Sequence, residues 1–145
     1  MSKPILFLNG PNLNMLGVRE PKIYGATTLE ELKKIAEDQA EKNGLKIDFR
    51  QSNFEGELVS WIHEAFEKFD GVIINPAAYT HTSVAILDAL KMVKGPVIEL
   101  HISNPHTRES FRHTSYVSLA ATGTIAGFGI AGYRLAVDAM AELLR

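Results

Sequence analysis

A glutamate and a histidine interrupt an apolar run of the sequence, PVIELH, which ends at Glu99-Leu100-His101. Because side chains two residues apart on a β-strand leave the same face, Glu99 and His101 are placed to interact. A carboxylate beside an imidazole favours the charged ring and fixes its orientation, which suits a group that delivers a proton near neutral pH. The pair therefore indicates acid-base chemistry, with a structural ion pair at a sheet edge as the alternative.

A long connection before the first helix carries a second candidate group. It reads NGPNLNMLGVREPKIYGATTLEEL, and loops longer than about 12 to 15 residues without regular structure are usually functional lids or disordered segments. Gly17 and Gly25 bracket Arg19 and Tyr24, which predicts a mobile lid over 17–26. A phenol with a pKa near 10 is ionised only about one part in a thousand at pH 7 unless a cation lowers that pKa. Arg19 could supply this cation, and the alternative is a surface tyrosine packed on the sheet edge.

Other polar side chains follow the apolar runs where strands are expected to end. They are Asn9 and Asn12 after the first run, Asn75 and His81 after the third, and Ser103 and Asn104 after the fourth. Turn chemistry alone explains many asparagines at such places. It does not explain Glu99 and His101 inside an apolar strand.

A metal site and a phosphate site are two alternative interpretations of these residues. Four histidines could join Glu99 as metal ligands: His81, His101, His106 and His113. Neither a His-Glu-x-x-His pattern nor a recognised two-His-one-carboxylate spacing is present. The loop GPNLN lacks the hydroxyl- and glycine-rich run that wraps a phosphate, and its proline removes a backbone donor. The sequence therefore favours a site without metal or flavin.

The elements that must position these groups alternate along the chain. Strands are predicted over 4–9, 45–51, 72–75, 96–101 and 122–128, and helices over 28–43, 58–69, 83–92 and 133–144, with a short helix around 109–113. Alternation of this kind predicts parallel pairing through right-handed crossovers. We expect one domain over 1–145, a flavodoxin-like doubly wound three-layer α/β sandwich with a five-stranded parallel sheet in the order 2-1-3-4-5. In such sheets ligands bind beyond the carboxyl ends of the strands.

Composition excludes several classes of function. The chain has 145 residues, 46% of them hydrophobic, a formal net charge of -2 and no cysteine. The chain is weakly acidic and its basic residues are scattered, so it has no basic surface patch of the kind that binds nucleic acid. Because it has no cysteine, disulfides, thiolate catalysis and Cys-ligated zinc are excluded. No apolar run approaches the ~20 residues that span a bilayer, and no signal-peptide pattern opens the sequence. We expect a cytoplasmic protein that does not bind membranes.

Five segments together carry a resemblance to a known family. They are NGPNLNMLGVREPKIYG, QSNFEGELVSWIHEA, NPAAYTHTSVAILDAL, ELHISNPHTRESFRHTS and TGTIAGFGIAGYRLAV. In this order and spacing, over nearly the whole chain, they resemble type II 3-dehydroquinate dehydratase. The resemblance implies a lyase that removes water from 3-dehydroquinate by anti elimination through an enolate, giving 3-dehydroshikimate without metal, cofactor or Schiff base. It implies a place in the shikimate pathway of aromatic amino acid biosynthesis, with quinate catabolism as the alternative role.

The resemblance also assigns roles to the candidate catalytic groups. It implies that Tyr24 is the base, ionised with help from Arg19, and that His101, paired with Glu99, is the general acid that protonates the departing hydroxyl. Asn12 would stabilise the charge on the ketone oxygen through a bound water.

Binding roles follow in the same way. The resemblance implies that Asn75, His81 and Arg112 contact the ring hydroxyls of the substrate. The carboxylate would be held by the backbone N-H groups of Ile102 and Ser103 and by the Ser103 hydroxyl. Asp88 would reach the site of a neighbouring subunit in a homododecamer of four trimers.

Four further positions have plainer interpretations. Arg108 lies one helical turn before Arg112, and a solvated charge is expected there in preference to the alternative, a substrate-binding group. His106 and His113 are expected to be surface residues. Ala77 is a departure from the family pattern, because glycine is frequent at its position. No proposed catalytic group is lost by that change.

Overall fold

The structure, a computed structural model, describes residues 2–18, 20, 22 and 25–145. Its strands are β1 (Ile5–Asn9), β2 (Ile47–Gln51), β3 (Gly71–Asn75), β4 (Val97–His101) and β5 (Gly123–Ala126). Its α-helices are α1 (Leu29–Lys42), α2 (Glu55–Lys68), α3 (Val84–Leu90) and α4 (Ala131–Leu143). All strand pairs are parallel, in the order β2-β1-β3-β4-β5. The predicted sheet order is therefore confirmed.

Two apolar layers cover the sheet, one on each face. One core contains Ile5 and Phe7 of β1 with α1 and α4, and the other contains Leu6 and Leu8 of β1 with α2 and α3. Alternate residues of a buried strand enter opposite layers, which explains the continuous apolar run of β1. The three-layer architecture is thus the one that the sequence predicts.

Helix α1 begins and ends where its caps require. The Thr28 hydroxyl accepts a hydrogen bond from the Glu31 backbone N-H at 3.2 Å, which satisfies one of the free donors of the first turn. At the other end Gly44 has φ +69°, a left-handed conformation that glycine adopts without strain. The predicted limits of this helix are confirmed to within a residue.

The segment between β4 and β5 differs from the sequence prediction. In place of one short helix around 109–113 it forms three 3-10 turns, Pro105–Thr107, Ser110–Arg112 and Val117–Leu119. Asn104 caps the first by accepting from the His106 backbone N-H at 3.0 Å. Short polar runs of this kind have no apolar periodicity, and so tertiary contacts decide their conformation.

Within the described part of the chain, none of the helices combines the length and apolar character needed to span a bilayer.

Candidate active site

A polar cleft of about 270 Å³ opens at the carboxyl ends of β1, β3 and β4. It is lined by Pro11, Asn12, Leu13, Asn75, Ala77, Ala78, His81, His101, Ile102, Ser103, Pro105, Arg108 and Arg112. Seven of the residues expected at the site are among them: Asn12, Asn75, His81, His101, Ile102, Ser103 and Arg112. Two arginines and two histidines line the cleft, and no carboxylate of the described residues does. The cleft is therefore suited to a small anion.

The floor of the cleft requires an unusual backbone. A Cβ on Gly10 would lie 2.5 Å from the carbonyl oxygen of Pro76, so β1 and β3 approach closely here. Asn12 and Ala77 have positive φ, +69° and +52°, a region that non-glycine residues rarely occupy. Asn12 is fixed by its backbone N-H, which donates to Asn53 Oδ1 at 3.0 Å. A glycine at position 77 would adopt this conformation without strain.

A buried tyrosine sets the position of Asn75. Asn75 Nδ2 donates to the Tyr133 hydroxyl at 3.1 Å, and that hydroxyl donates to Asn9 Oδ1 at 2.6 Å. The Ala77 backbone N-H donates to Asn75 Oδ1 at 3.2 Å. Burial raises the pKa of Tyr133 far above its ordinary value, although the Asn75 hydrogen bond opposes this, so the phenol stays neutral. Asn75 therefore reaches the cleft with its amide orientation already fixed.

His81 is held as a neutral imidazole. Its Nδ1 lies 2.8 Å from the carbonyl oxygen of Thr114. Because a carbonyl can only accept, Nδ1 carries the hydrogen and Nε2 is left for other contacts. Burial lowers the pKa of His81, with further lowering from His101 and Arg112, and these effects outweigh the opposing hydrogen bond to Thr114. His81 can therefore exchange hydrogen bonds with a ligand without carrying charge.

Glu99 and His101 form the contact that their spacing predicts. His101 Nε2 lies 2.6 Å from Glu99 Oε2, and the glutamate side chain is only 1% exposed. Burial alone would raise the pKa of Glu99, but hydrogen bonds from His101, Ser118 and Ser115 together hold it below its ordinary value. A charged Glu99 can only accept, so His101 Nε2 donates to it. The other ring nitrogen, Nδ1, is the one left to serve a ligand.

The expectation for Arg108 was wrong. Its side chain is only 15% exposed and lines the cleft. Its Nη1 donates to the Ser103 hydroxyl at 3.2 Å, while Arg112 Nε donates to Glu109 at 3.2 Å. Two guanidinium groups thus face the cleft from the segment after β4. Arg112 was expected here from the resemblance, whereas the position of Arg108 depends on the 3-10 turns, which the sequence did not predict.

An adjoining cavity of about 250 Å³ shares His81, His101, Pro105 and Arg112 with the cleft. Glu99 and the exposed His106 and His113 also line it. Ser115, Ser118 and Thr124 contribute hydroxyls there that sequence reasoning missed. Ser115 and Thr124 lie in two of the segments that resemble the family, at HTS and TGT, whereas Ser118 lies between those segments and carries no such signal.

The remaining four expected residues are Glu99, Asp88, Arg19 and Tyr24, of which Glu99 lines the adjoining cavity. Asp88 is exposed on α3 and does not line the cleft. Arg19 and Tyr24 lie outside the described residues. Within the described residues no group of three or more histidine, aspartate or glutamate side chains is arranged to hold a metal ion.

Fold and cleft together define a doubly wound α/β protein with a small-molecule site where its strand order reverses. The family model described as dehydroquinase class II matches residues 3–141. A protein of Phenylobacterium zucineum named 3-dehydroquinate dehydratase is 61% identical over 145 residues, covering 100% of both chains. One of Caulobacter vibrioides with the same name is 55% identical, covering 100% of this chain and 99% of the relative.

A solved structure agrees with these relatives. The type II dehydroquinase of Propionibacterium acnes superposes with a TM-score of 0.92 at 49% identity, covering 98% of each chain. The chain therefore belongs to the class II dehydroquinase family and is an enzyme of that class.

Proposed function

We propose that the enzyme removes water from 3-dehydroquinate to give 3-dehydroshikimate. The observation that supports this most is the convergence of seven expected residues on one cleft whose described lining has cationic and amide groups but no carboxylate. A small polyhydroxylated acid with one carboxylate matches that lining in charge and in hydrogen-bonding groups.

The reaction begins at the carbon beside the substrate ketone. Tyr24, as a phenolate stabilised by Arg19, takes a proton from that carbon, and the electron pair of the broken C-H bond moves to the ketone oxygen. A phenolate needs a nearby cation to exist at neutral pH. Both residues belong to the lid proposed over 17–26.

Water is lost in the second step. The enolate carbonyl re-forms, the electron pair becomes the new C=C bond, and the C-O bond to the hydroxyl breaks. His101 gives its proton to the departing hydroxyl, which leaves as water on the face opposite the first proton. Between the two steps Asn12, acting through a bound water, stabilises the charge on the ketone oxygen. Protonated Tyr24 and neutral His101 then exchange protons with water, so the enzyme is restored.

Substrate binding uses groups on both sides of the cleft. The backbone N-H groups of Ile102 and Ser103 and the Ser103 hydroxyl bind the carboxylate, with Arg108 added because it contacts Ser103. Asn75, His81 and Arg112 bind the ring hydroxyls. Charged and amide donors of this kind give the strongest hydrogen bonds to such a ligand.

Assembly and location follow from the family resemblance. Asp88, exposed on α3, is proposed to reach the cleft of a neighbouring subunit in a dodecamer of four trimers. The enzyme is proposed to work in the cytoplasm in aromatic amino acid biosynthesis, and the same reaction would also serve quinate catabolism.

The reaction is tested by mixing purified protein with 3-dehydroquinate and following the ultraviolet absorbance of the conjugated product. Absorbance should rise with the wild type and with His63→Ala, which changes an exposed histidine of α2. It should not rise measurably with His101→Ala over the same time. A folded wild-type protein that leaves the substrate unchanged would contradict the proposal.

The base is tested by Tyr24→Phe, which removes only a hydroxyl. Turnover should fall by about 10² to 10⁴, the usual contribution of a general base. Tyr79→Phe is the matched control, because the Tyr79 hydroxyl donates to the Asn53 carbonyl at 2.8 Å and has no assigned role in the reaction. Equal turnover in the two variants would rule Tyr24 out as the base.

A further inference from the structure

Three hydroxyl side chains surround the carboxylate behind His101. We propose that Ser115, Ser118 and Thr124 are positioning residues, which keep Glu99 ionised and thereby hold His101 with one defined ring nitrogen toward the cleft. This inference rests on the proposed function, in which His101 is the acid. It assigns roles to three residues that do not themselves touch the reacting atoms.

Glu99 accepts four hydrogen bonds from described residues. Oε2 accepts from His101 Nε2 at 2.6 Å and from the Ser115 hydroxyl at 2.7 Å. Oε1 accepts from the Ser118 hydroxyl at 2.5 Å and from the Thr124 hydroxyl at 3.3 Å. Two acceptor sites on each oxygen are thus in use, which is about the full capacity of a carboxylate.

The backbone holds these hydroxyls in place. Sheet register pairs Glu99 of β4 with Thr124 of β5. Ser115 and Ser118 are three residues apart, and the Ser118 backbone N-H donates to the Ser115 hydroxyl at 3.1 Å. Val117, which is fully buried in the core, anchors the 3-10 turn that carries Ser118. The hydroxyls are therefore placed by the backbone of β5 and of the 3-10 turn, although Ser118 and Thr124 are themselves exposed residues.

Such an arrangement has an energetic purpose. Moving a charged carboxylate out of water is costly unless hydrogen bonds compensate it, and Glu99 is 1% exposed. Neutral hydroxyls supply that compensation without adding a charge that would compete for His101. Because a charged Glu99 with its other sites filled can only accept from the imidazole, His101 is restricted to one orientation. His101 Nδ1 is then the nitrogen that meets the departing hydroxyl.

Other ionisable groups also face this pair. From the elements packed around it they are His81, His106, Arg112 and His113, which line the same cavity. Each remains unchanged in the variants proposed below. A difference in kcat or in its pH dependence between those variants and the wild type is therefore caused by loss of a hydroxyl group.

Kinetics give the first test. Ser118→Ala should lower kcat about tenfold with KM within about twofold, because one hydrogen bond to a charged group is lost. The acid limb of the kcat profile should move to higher pH, since loss of the Ser118 hydrogen bond makes Glu99 easier to protonate. Ser115→Ala should act in the same direction, and Thr124→Val should act more weakly because its contact is longer.

Matched variants separate positioning from folding. Ser118→Thr keeps the hydroxyl and should restore both kcat and the acid limb, whereas Ser60→Ala, an exposed serine of α2, should change neither. A Ser118→Ala enzyme with an unmoved acid limb would overturn the inference. So would a Ser118→Thr enzyme as impaired as Ser118→Ala.

A titration without substrate separates this inference from the proposed reaction. The Glu99 carboxyl carbon, followed by carbon NMR in the wild type and in Ser118→Ala, should titrate at higher pH in the variant. Identical titrations would overturn the role of Ser118 even if dehydration is observed. A shifted titration with no dehydration by the wild type would instead refute the proposed reaction and leave the role of Ser118 in Glu99 ionisation supported.

Discussion

The two walls of the cleft each present an imidazole, but the two rings have different partners. On the β4 wall His101 Nε2 lies 2.6 Å from a buried carboxylate of Glu99. On the β3 wall His81 Nδ1 lies 2.8 Å from the backbone carbonyl of Thr114. His101 has an anionic partner, whereas burial, with His101 and Arg112, lowers the pKa of His81 and outweighs the opposing hydrogen bond to Thr114. Two imidazoles in one cleft thus have different electrostatic surroundings, which suit the first as the acid and the second as a neutral binding group.

The largest effect is expected when the imidazole of His101, on the β4 side of the cleft, is removed. His101→Ala should lower kcat by about 10² to 10⁴, because general acid catalysis contributes this much. Initial rates of product absorbance measure the effect. His63→Ala, on the exposed face of α2, should behave as the wild type. A His101→Ala enzyme within about threefold of the wild type would move the acid role elsewhere.

The second variant removes the buried hydroxyl that holds Asn75 in place on the β3 side of the cleft. Tyr133→Phe removes the hydroxyl that joins Asn75 to Asn9 and leaves both buried amides short of a partner. We expect a loss of about 1 to 3 kcal/mol in the free energy of unfolding, measured by urea denaturation. KM should rise more than kcat falls, because Asn75 is a binding group. Tyr79→Phe, at a more exposed hydroxyl, should cost less, and equal losses would remove the special role of Tyr133.

The third variant tests whether His81 binds substrate without taking part in the chemical step. His81→Ala should raise KM about tenfold and change kcat less, since a neutral binding group is lost and the acid remains. A larger fall in kcat than rise in KM would place His81 in the chemistry and end the distinction between the walls.

Removing His81 should also change how stability depends on pH. Because its pKa is lowered in the folded protein, the unfolded chain binds more protons as pH falls below about 6.5, the ordinary histidine pKa. The stability contributed by the neutral ring is present above that pH and is lost as pH falls below it. His81→Ala should therefore flatten the wild-type decline in this window, measured as urea midpoints at several pH values. Glu99, whose pKa is also lowered, gives a separate decline beginning near pH 4.5.

The smallest effect is expected at Ala77. Its φ of +52° is costly for alanine, so Ala77→Gly should raise the free energy of unfolding by under about 1 kcal/mol, with part of the gain offset by a more flexible unfolded chain. Urea denaturation measures this difference. Ala78→Gly is the matched control, because it offers no positive φ to relieve and should destabilise. A loss of stability in both variants would contradict the conformational strain assigned to Ala77.

The sequence predicted the frame of the molecule better than it predicted the details of the cleft. Apolar runs and turn residues predicted all five strands, and their alternation with helices favoured a parallel flavodoxin-like sheet, for which the order 2-1-3-4-5 was expected. The Glu99-His101 contact was also predicted, because spacing on a strand decides which side chains meet. The structure confirms both.

The segment after β4 shows why other details were not predictable. Arg108 looked like a solvated charge, yet its side chain lines the cleft because three successive 3-10 turns fold the segment back. Ser115 and Ser118 likewise look like ordinary loop serines until that fold brings them to Glu99. Long-range contacts decide where these side chains lie, and local sequence patterns do not predict those contacts. Arg19 and Tyr24 lie outside the described residues, so their roles stay predictions.

In the proposed reaction, proton abstraction and water loss use different groups, and His101 is needed only for the loss of water. The direct measurement is proton NMR of 3-dehydroquinate in D₂O with His101→Ala. In the active site of this variant the hydrogen on the carbon beside the substrate ketone should still exchange with solvent deuterium, while no 3-dehydroshikimate forms. Loss of exchange together with loss of product, in a variant that remains folded and binds substrate, would contradict it.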